Sequence, residues 1–345
     1  TQNSSGASFH KNIQRLRRSW GLKRFEWFGW ENDGQLGYCT RELLAAARRR
    51  KADLYIAHSE AAMWVAEQLR LQGHRVGIDM EDWFSEDLLP EARKHRPLNL
   101  LRGLERELLR NAVYSLCPSS AMSEALAVEY GCRPPAVIYN AFPWSERQSL
   151  DGKIKDRRNP NVPSIHWYSQ TIGQGRGLED LLAALPYITH EAEIHLRGKI
   201  ASGFEAWLMS QVPESWRNRI YLHDLVSNDE LLSRISEHDI GFAGEMKYCQ
   251  SRDLTVTNKI LQYLLGGLAV VASDTAGQME VAGQAPGAVS IYQSGDGAAL
   301  ALQLNELLSS PAQLANAKSQ ALQAAKEIFC WEKYSPRLVE NLTLR

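Results

Sequence analysis

A chain of 345 residues has room for about two domains at roughly 150 residues each, and its 44% apolar and 23% charged residues suit packed cores rather than disorder. The 39 Lys/Arg and 40 Asp/Glu give a net charge of −1, which argues against nucleic acid as the main partner. No run reaches the roughly 18 apolar residues of a membrane span, and five scattered cysteines with neither a C-x-x-C pair nor zinc spacing read as small buried residues of a reducing compartment.

No signal peptide is visible, and the start at Thr1 without Met leaves room for a missing front piece. After a Ser/Gly loop at Ser4, Ser5 and Gly6, Phe9–Leu16 reads as a helix and Arg24–Trp30 as a strand. Leu54–Ala57 is a strand ending in His58. A helix follows over Ala61–Leu71. Val76–Asp79 is a strand ending in Met80, Glu81 and Asp82. Val113–Cys117 is a strand, Ser120–Tyr130 a helix, and Ala136–Tyr139 a strand ending at Asn140. Basic clusters lie at Arg15, Arg17 and Arg18, at Arg48–Lys51, and at Arg93, Lys94 and Arg96. They read first as solvated helix ends; the sharper expectation is a face resting on anionic lipid or an acidic acceptor.

A stretch rich in charge, Asn and Pro over 148–163 is a linker. Beyond it, strands and helices alternate. Ser164–Ser169 is a strand closed by Gly173, Gly175 and Gly177, and a helix follows with Leu178, Leu181, Leu182, Leu185 and Ile188 at helical spacing. Glu193–Leu196 and Arg219–His223 are strands. Ser227 with Glu230 forms a capping box opening a helix. Asp239–Ala243 is a strand, Asn258–Leu265 a helix, and Leu268–Ser273 and Val289–Gln293 strands before two helices. Strands separated by helices imply parallel pairing with right-handed crossovers, hence doubly wound sheets. Two such domains would face a cleft at the C-terminal edges of their sheets, where these sheets bind ligands.

Three stretches carry chemistry. The first is Gln170-Thr171-Ile172-Gly173-Gln174-Gly175-Arg176-Gly177, a glycine-rich turn before a helix. Glycines allow close backbone approach, the helix start favours an anion, and Arg176 adds a permanent charge suited to a diphosphate. A nicotinamide site would need an acidic residue at the end of the next strand. Arg197-Gly198-Lys199 stands there instead and favours phosphate. The second stretch is Thr255-Val256-Thr257-Asn258-Lys259, whose free helix-start amides, hydroxyls and ammonium suit a phosphate. Gln262, one turn on, can bond ribose hydroxyls. The third group, His58, Glu81 with Asp82, and Asn140, follows three strands and can bind sugar hydroxyls or move protons.

Together these stretches resemble glycosyltransferase family 4, the retaining enzymes of the GT-B fold. The most specific part is Thr257–Ser273, similar to the family's N-K-x-F-E-Y-M-A-A-G-L-P-V-V-A-S stretch. Val137-Ile138-Tyr139-Asn140 resembles its V-I-P-N, and Phe329-Cys330-Trp331-Glu332 its F-S-W-E. The resemblance implies an α/β, GT-B chain of two Rossmann-like doubly wound domains facing a central cleft: an acceptor domain over 1–147, the linker over 148–163, a donor domain over 164–328, and a last helix over 329–345 crossing back to the first.

It also implies roles. Arg176 would contact the donor diphosphate, amides near Thr257 and Asn258 the distal phosphate, and Gln262 the ribose. Gly198 with Leu225 and Val226 would flank the base, and His58 would lie near the transferred sugar. Ser5 and Gly6 stand for the acceptor loop. Gln262 replaces the second Glu of the family's Glu-x7-Glu pair, and Leu254 stands in place of the first; Glu245 or Asp253 can substitute. The expected reaction moves a hexose from a UDP- or GDP-linked donor to a glycan or lipid-linked acceptor in polysaccharide synthesis. It proceeds with retention, without cofactor or metal, and with Arg176, Lys199 or Lys259 meeting the developing charge. The expected location is cytoplasmic, peripheral at the inner membrane face. A nucleotide-sugar epimerase using Glu81, Asp82 and Glu245, or a catalytically weakened binding paralogue, are the alternatives.

Overall fold

The computed structural model describes the backbone of residues 4–37 and 39–343, and side chains at residues 15, 16, 18–37 and 39–342. Two compact units emerge. One comprises Thr1–Ile138, Tyr248–Ser251 and Glu340–Arg345; the other comprises Tyr139–Lys247 and Arg252–Val339.

The first unit opens with helix α1 (Ser4–Phe28). Two expectations fail here: Ser5 and Gly6 belong to the first turn of this helix rather than to a loop, and Arg24–Phe28 continues the helix rather than forming a strand. The aromatic-rich run suggested a strand, but aromatic residues are only mildly unfavourable in helices. The stop is Gly29, which takes a left-handed φ of 66° and donates its N–H to Phe25 O at 2.8 Å. Then come α2 (Thr40–Arg50), β1 (Tyr55–Ala57), α3 (Glu60–Arg70), β2 (Val76–Asp79), α4 (Pro90–Arg93), α5 (Leu98–Asn111), β3 (Tyr114–Cys117), α6 (Ser120–Tyr130) and β4 (Ala136–Val137). The four strands are parallel in the order β1-β2-β3-β4. Because every step advances in one direction, right-handed crossovers place α3, α5 and α6 on one face. Met63, Leu69, Ile78, Leu101, Leu108, Met122 and Leu126 are wholly buried there. Among the described residues, the steps of this sheet all run in one direction.

The second unit is doubly wound. Its elements are β5 (Ser164–Ile172), α7 (Leu178–Ala184), β6 (Glu193–Ile200), α8 (Phe204–Gln211), β7 (Ile220–His223), α9 (Asn228–Ser236), β8 (Ile240–Ala243), α10 (Gln250–Leu254) from Arg252 on, α11 (Asn258–Gly266), β9 (Ala269–Ser273), α12 (Ala276–Gln284), β10 (Val289–Tyr292), α13 (Gly297–Leu308), α14 (Pro311–Glu327) and α15 (Trp331–Thr343) as far as Val339. All six strands are parallel, in the order β10-β9-β8-β5-β6-β7. The first and fourth strands of the unit, β5 and β8, are therefore neighbours, and the connections leave them in opposite directions. That is the topological switch point, outside whose carboxyl ends such sheets bind ligands.

Alternation along β5 and β6 sorts the two faces of this sheet. Ile165, Trp167, Ile194, Leu196 and Phe242 join Leu178, Leu181, Leu300 and Leu304 in one apolar core. The alternate positions, His166, Tyr168, His195 and Arg197, form a polar face. The segment expected to be a linker packs on this unit: Asp151 pairs with Arg234 at 2.6 Å and Arg157 with Asp239 at 3.2 Å. Two local details also differ. Ser227 does precede α9, but its side chain makes no cap bond. The helix after the glycine turn stops at Ala184 and tightens into a 3-10 turn over Leu185–Tyr187, because Pro186 cannot supply the next helical N–H.

Candidate nucleotide-sugar site

At the switch point the chain leaves β5 through Gly173–Gly177. Gly175 and Gly177 have φ of 71° and 79°, and a Cβ at Gly177 would collide with the carbonyl of Gly244 just beyond β8. Only glycine lets these two strand ends touch. Glu245, the next residue, donates its N–H to Ser273 Oγ at 2.8 Å. Its carboxylate holds Lys259 Nζ at 2.9 Å. The glycine turn, the end of β8 and the first turn of α11 are thus joined by consecutive contacts.

The charges near this junction are not all free. Lys259 is neutralised by Glu245, and both side chains are largely buried. Arg176 is exposed and forms no ion pair among the described residues. The first turn of the short helix α7 already carries Glu179 and Asp180, and Glu179 Oε1 accepts the Gly175 N–H at 2.7 Å. Arg176 therefore supplies the positive charge of that turn.

The entrance of α11 has different chemistry. Thr257 is the N-cap in extended conformation, yet it makes no side-chain cap bond. Its Oγ1 is buried without a hydrogen-bond partner among the described residues. Such an atom is costly unless a ligand or water satisfies it. Val256 is fully buried, and Thr255 is buried against α12, where a Cβ at Gly277 would strike its carbonyl.

Asn258 and Gln262 line a cavity of about 590 Å³, together with Tyr168, Gln170, Arg197, Leu225, Val226 and Asp229 among others. Tyr168 donates its hydroxyl to Gln262 Oε1. The amide nitrogen of Gln262 has no partner among the described residues. Burial first, and Glu245 second, push the Tyr168 phenol far up, so it remains a donor.

The cation expected at the end of β6, Arg197, lies inside the strand and is spent elsewhere. Arg197 is 3% exposed; it donates to Asp224 O at 2.5 Å and forms an ion pair with Asp156 of the 148–163 segment. It borders the cavity as a neutralised, rigid wall, which corrects the expectation of a free phosphate-binding charge. Lys199 is exposed, and Gly198 lies against Ser169 O, where a Cβ would clash. Neither Lys199 nor Gly198 lines the cavity. Asp253 accepts the Ala276 N–H at 3.2 Å and so caps α12; Glu245 is the acid beside Lys259.

In the first unit, parallel pairing of β1 with β2 brings His58 beside Asp79 and Glu81. His58 Nδ1 lies 3.1 Å from Asp79 Oδ2 and 3.6 Å from Glu81 Oε1. Asp82 is half-buried. Asn140, expected with this group, is exposed and belongs to the second unit. The side chain of Ser5 and the surroundings of Gly6 lie outside what is described. Of the basic clusters, Arg48, Arg49 and Arg50 form the last turn of α2, where cations suit the dipole. Arg93, Lys94 and Arg96 are paired with Glu86, Glu91 and Glu60.

Sequence reasoning missed Tyr168, Asp156, Asp79, Asn228 and Asp229. Tyr168 had a usable signal, since it alternates with His166 on the face opposite Trp167. Asp79 had one too, as an acid closing an apolar strand next to a strand that ends in histidine.

Two α/β units with parallel sheets of four and six strands, the second wound about a switch point with a cavity beside it, define a GT-B fold. Solved structures agree. Sucrose-phosphate synthase from Thermosynechococcus elongatus superposes with a TM-score of 0.71 at 16% identity, covering 90% of this chain and 77% of that one. Alr3699/HepE of Anabaena in complex with UDP-glucose gives 0.69 at 19%, covering 91% and 84%. A trehalose-6-phosphate protein from E. coli bound with UDP-2-fluoro glucose gives 0.66 at 13%, covering 90% and 77%. No family profile matches the chain, and no curated protein sequence matches it.

Proposed function

We propose that the protein is a retaining glycosyltransferase of the family 4 type, moving a hexose-type sugar from a nucleoside diphosphate donor to a glycan or lipid-linked acceptor without a divalent metal. The observation that carries this reading is the uncapped entrance of α11. A buried Thr257 hydroxyl and helix-start amides, without side-chain partners among the described residues, directly precede Asn258, which with Gln262 lines the cavity. A phosphate there would receive hydrogen bonds from both. Gln262, one turn further in, would then meet the ribose, and Leu225 with Val226 the base.

The growing negative charge on the leaving diphosphate would be met by Arg176, Lys259 and these amides. An acceptor hydroxyl attacking from the face of the leaving group can pass its proton to the departing phosphate, so no enzyme base is required. HepE was solved with UDP and with UDP-glucose, which supports a uridine donor over a guanosine one. No described helix is long and apolar enough to cross a membrane. The basic α1 and α2 would bring a lipid-linked acceptor's membrane surface to the first unit.

Thermal unfolding with UDP, GDP and ADP tests the donor class. Free ligand at about 100 times its Kd stabilises by about 2.7 kcal/mol, so the cognate nucleotide should stand out, with UDP expected. Stabilisation by none of the three would remove the proposed donor site. Loss of turnover with chelator, restored by Mn²⁺, would overturn the metal-free step.

A further inference from the structure

His58 is held in an unusual way for a half-exposed residue. One ring nitrogen, Nδ1, faces two carboxylates: Asp79 Oδ2 at 3.1 Å and Glu81 Oε1 at 3.6 Å. The side chains of His58 and Glu81 are each 54% exposed, and Asp79 is 29% exposed. Ion pairs this exposed add little to stability, so stability does not account for two acids on one imidazole. The backbone around the group is fixed on both sides. Ala57 is in register with Ile78 across the β1–β2 ladder, and Ser59 caps α3 by accepting the Ala62 N–H at 3.4 Å. His58 is the single residue between strand end and helix cap. Asp79 is the last residue of its own strand.

An ionised carboxylate can only accept, so the nitrogen it faces must carry a proton in either charge state of the ring. A neutral histidine without such a partner can carry its proton on either nitrogen; here the choice is imposed. Burial pushes the Asp79 carboxyl up, and the neighbouring imidazole offsets part of that rise. The geometry points to Asp79 as a positioning residue that, backed by Glu81, fixes Nδ1 of His58 as the protonated nitrogen and offers Nε2 to a sugar hydroxyl. A hydroxyl is the fitting group, since it can donate to a neutral Nε2 or accept from a protonated one, whereas a diphosphate serves only the protonated form. This rests on the glycosyl-transfer proposal above for the identity of the hydroxyl; the tautomer does not.

The experiment combines nitrogen-15 NMR of His58 with kinetics on the full chain. At alkaline pH, wild type should show the Nδ1–H tautomer, and Asp79→Ala should lose that preference. With the donor nucleotide-sugar, Asp79→Ala should lower kcat by about ten- to a hundredfold while leaving KM for the donor nearly unchanged. Asp79→Asn keeps an oxygen that accepts from Nδ1–H, so it should recover part of the loss. A wild-type Nε2–H tautomer would overturn the proposal. An unchanged kcat in a folded Asp79→Ala would overturn it as well. Should Asp79→Ala fail to fold, the wild-type tautomer and the Asn variant decide. An Nδ1–H tautomer in a protein that turns over no nucleotide-sugar would leave the positioning in place and reject the glycosyl-transfer reading instead.

Discussion

Lys259 Nζ lies 2.9 Å from Glu245 Oε1, and the two side chains are only 13% and 14% exposed. Each is the partner that makes the other's partial burial tolerable. Removing Glu245 alone strands an ammonium at the entrance of α11, which costs about 1–3 kcal/mol. The double variant Glu245→Ala with Lys259→Met should recover part of this, with a coupling of about 0.5–3 kcal/mol in a cycle of urea unfolding measurements. Additive losses would show that the pair is not coupled. In activity the two should separate: Lys259→Met lowers kcat if the ammonium meets the leaving diphosphate.

The Tyr168–Gln262 hydrogen bond ties the middle of β5 to the helix proposed to hold ribose. Gln262→Ala should weaken nucleotide binding by about 0.5–1.5 kcal/mol, one neutral hydrogen bond. Gln262→Glu keeps an acceptor for Tyr168 and adds a charge-assisted bond to a ribose hydroxyl, so affinity should rise above wild type. Calorimetric titration with the cognate nucleotide checks both. Equal affinity in all three proteins would remove Gln262 from the site.

The parts of this site that the sequence made legible were the local ones. The glycine turn and the Asn258–Gly266 helix with its Gly267 cap follow from φ freedom, cap chemistry and 3.6-residue periodicity, all contained within a dozen residues. What stayed hidden depends on partners distant in the chain. Arg197 reads as a free cation until Asp156, arriving from the presumed linker, neutralises it. Asp79 gains meaning only when β1 pairs with β2. The Arg24–Phe28 run shows the opposite failure, where local aromatic content suggested a strand and the surrounding helix prevailed.

The four histidines of the polar face were also invisible before register was known. His166 stacks on His238 with centroids 4.5 Å apart, His238 lies 4.6 Å from His195, and His195 stacks on His223 at 5.2 Å. Burial holds all four imidazoles below their usual range, His195 down to about 2. The folded form therefore binds fewer protons than the unfolded chain below about pH 6.5. Their contribution is complete above that pH and is lost as pH falls below it. The carboxyl of Asp156 is raised by burial but lowered more by His238 and Arg197 beside it; its share is lost only in stronger acid, below about pH 4. Between pH 7 and 5, unfolding free energy should fall by up to about 1.4 kcal/mol per pH unit for each histidine. Neither ring nitrogen of His166 has a hydrogen-bond partner among the described residues, so His166→Phe orphans nothing there and should reduce this slope by one proton's share. An unchanged slope would show that His166 titrates normally.

Arg176 is the charge of the glycine turn, exposed and without an ion pair among the described residues. Its removal should leave stability within about 0.5 kcal/mol, as for surface substitutions generally. By analogy with a single oxyanion donor, Arg176→Ala should cost about 2–4 kcal/mol in kcat/KM. A change of less than about tenfold would mean that Arg176 does not face the diphosphate.

Thr257 separates stability from binding most cleanly. Its hydroxyl is buried with no hydrogen-bond partner among the described residues, and its backbone, at φ −79° and ψ 146°, suits a β-branched residue. Thr257→Val keeps the shape and deletes only the hydroxyl. Without ligand, nothing is lost and an unsatisfied polar group is removed, so the variant should unfold at the same or higher temperature. With nucleoside diphosphate, the wild-type hydroxyl gains a phosphate oxygen that valine cannot bond. Affinity should then drop by about 1 kcal/mol, roughly fivefold. The nucleoside lacking phosphates should bind both proteins equally. If the variant loses stability in the absence of ligand, the hydroxyl has a protein or water partner and the α11 entrance is an ordinary capped helix. If it binds the diphosphate as tightly as wild type, the phosphate lies elsewhere.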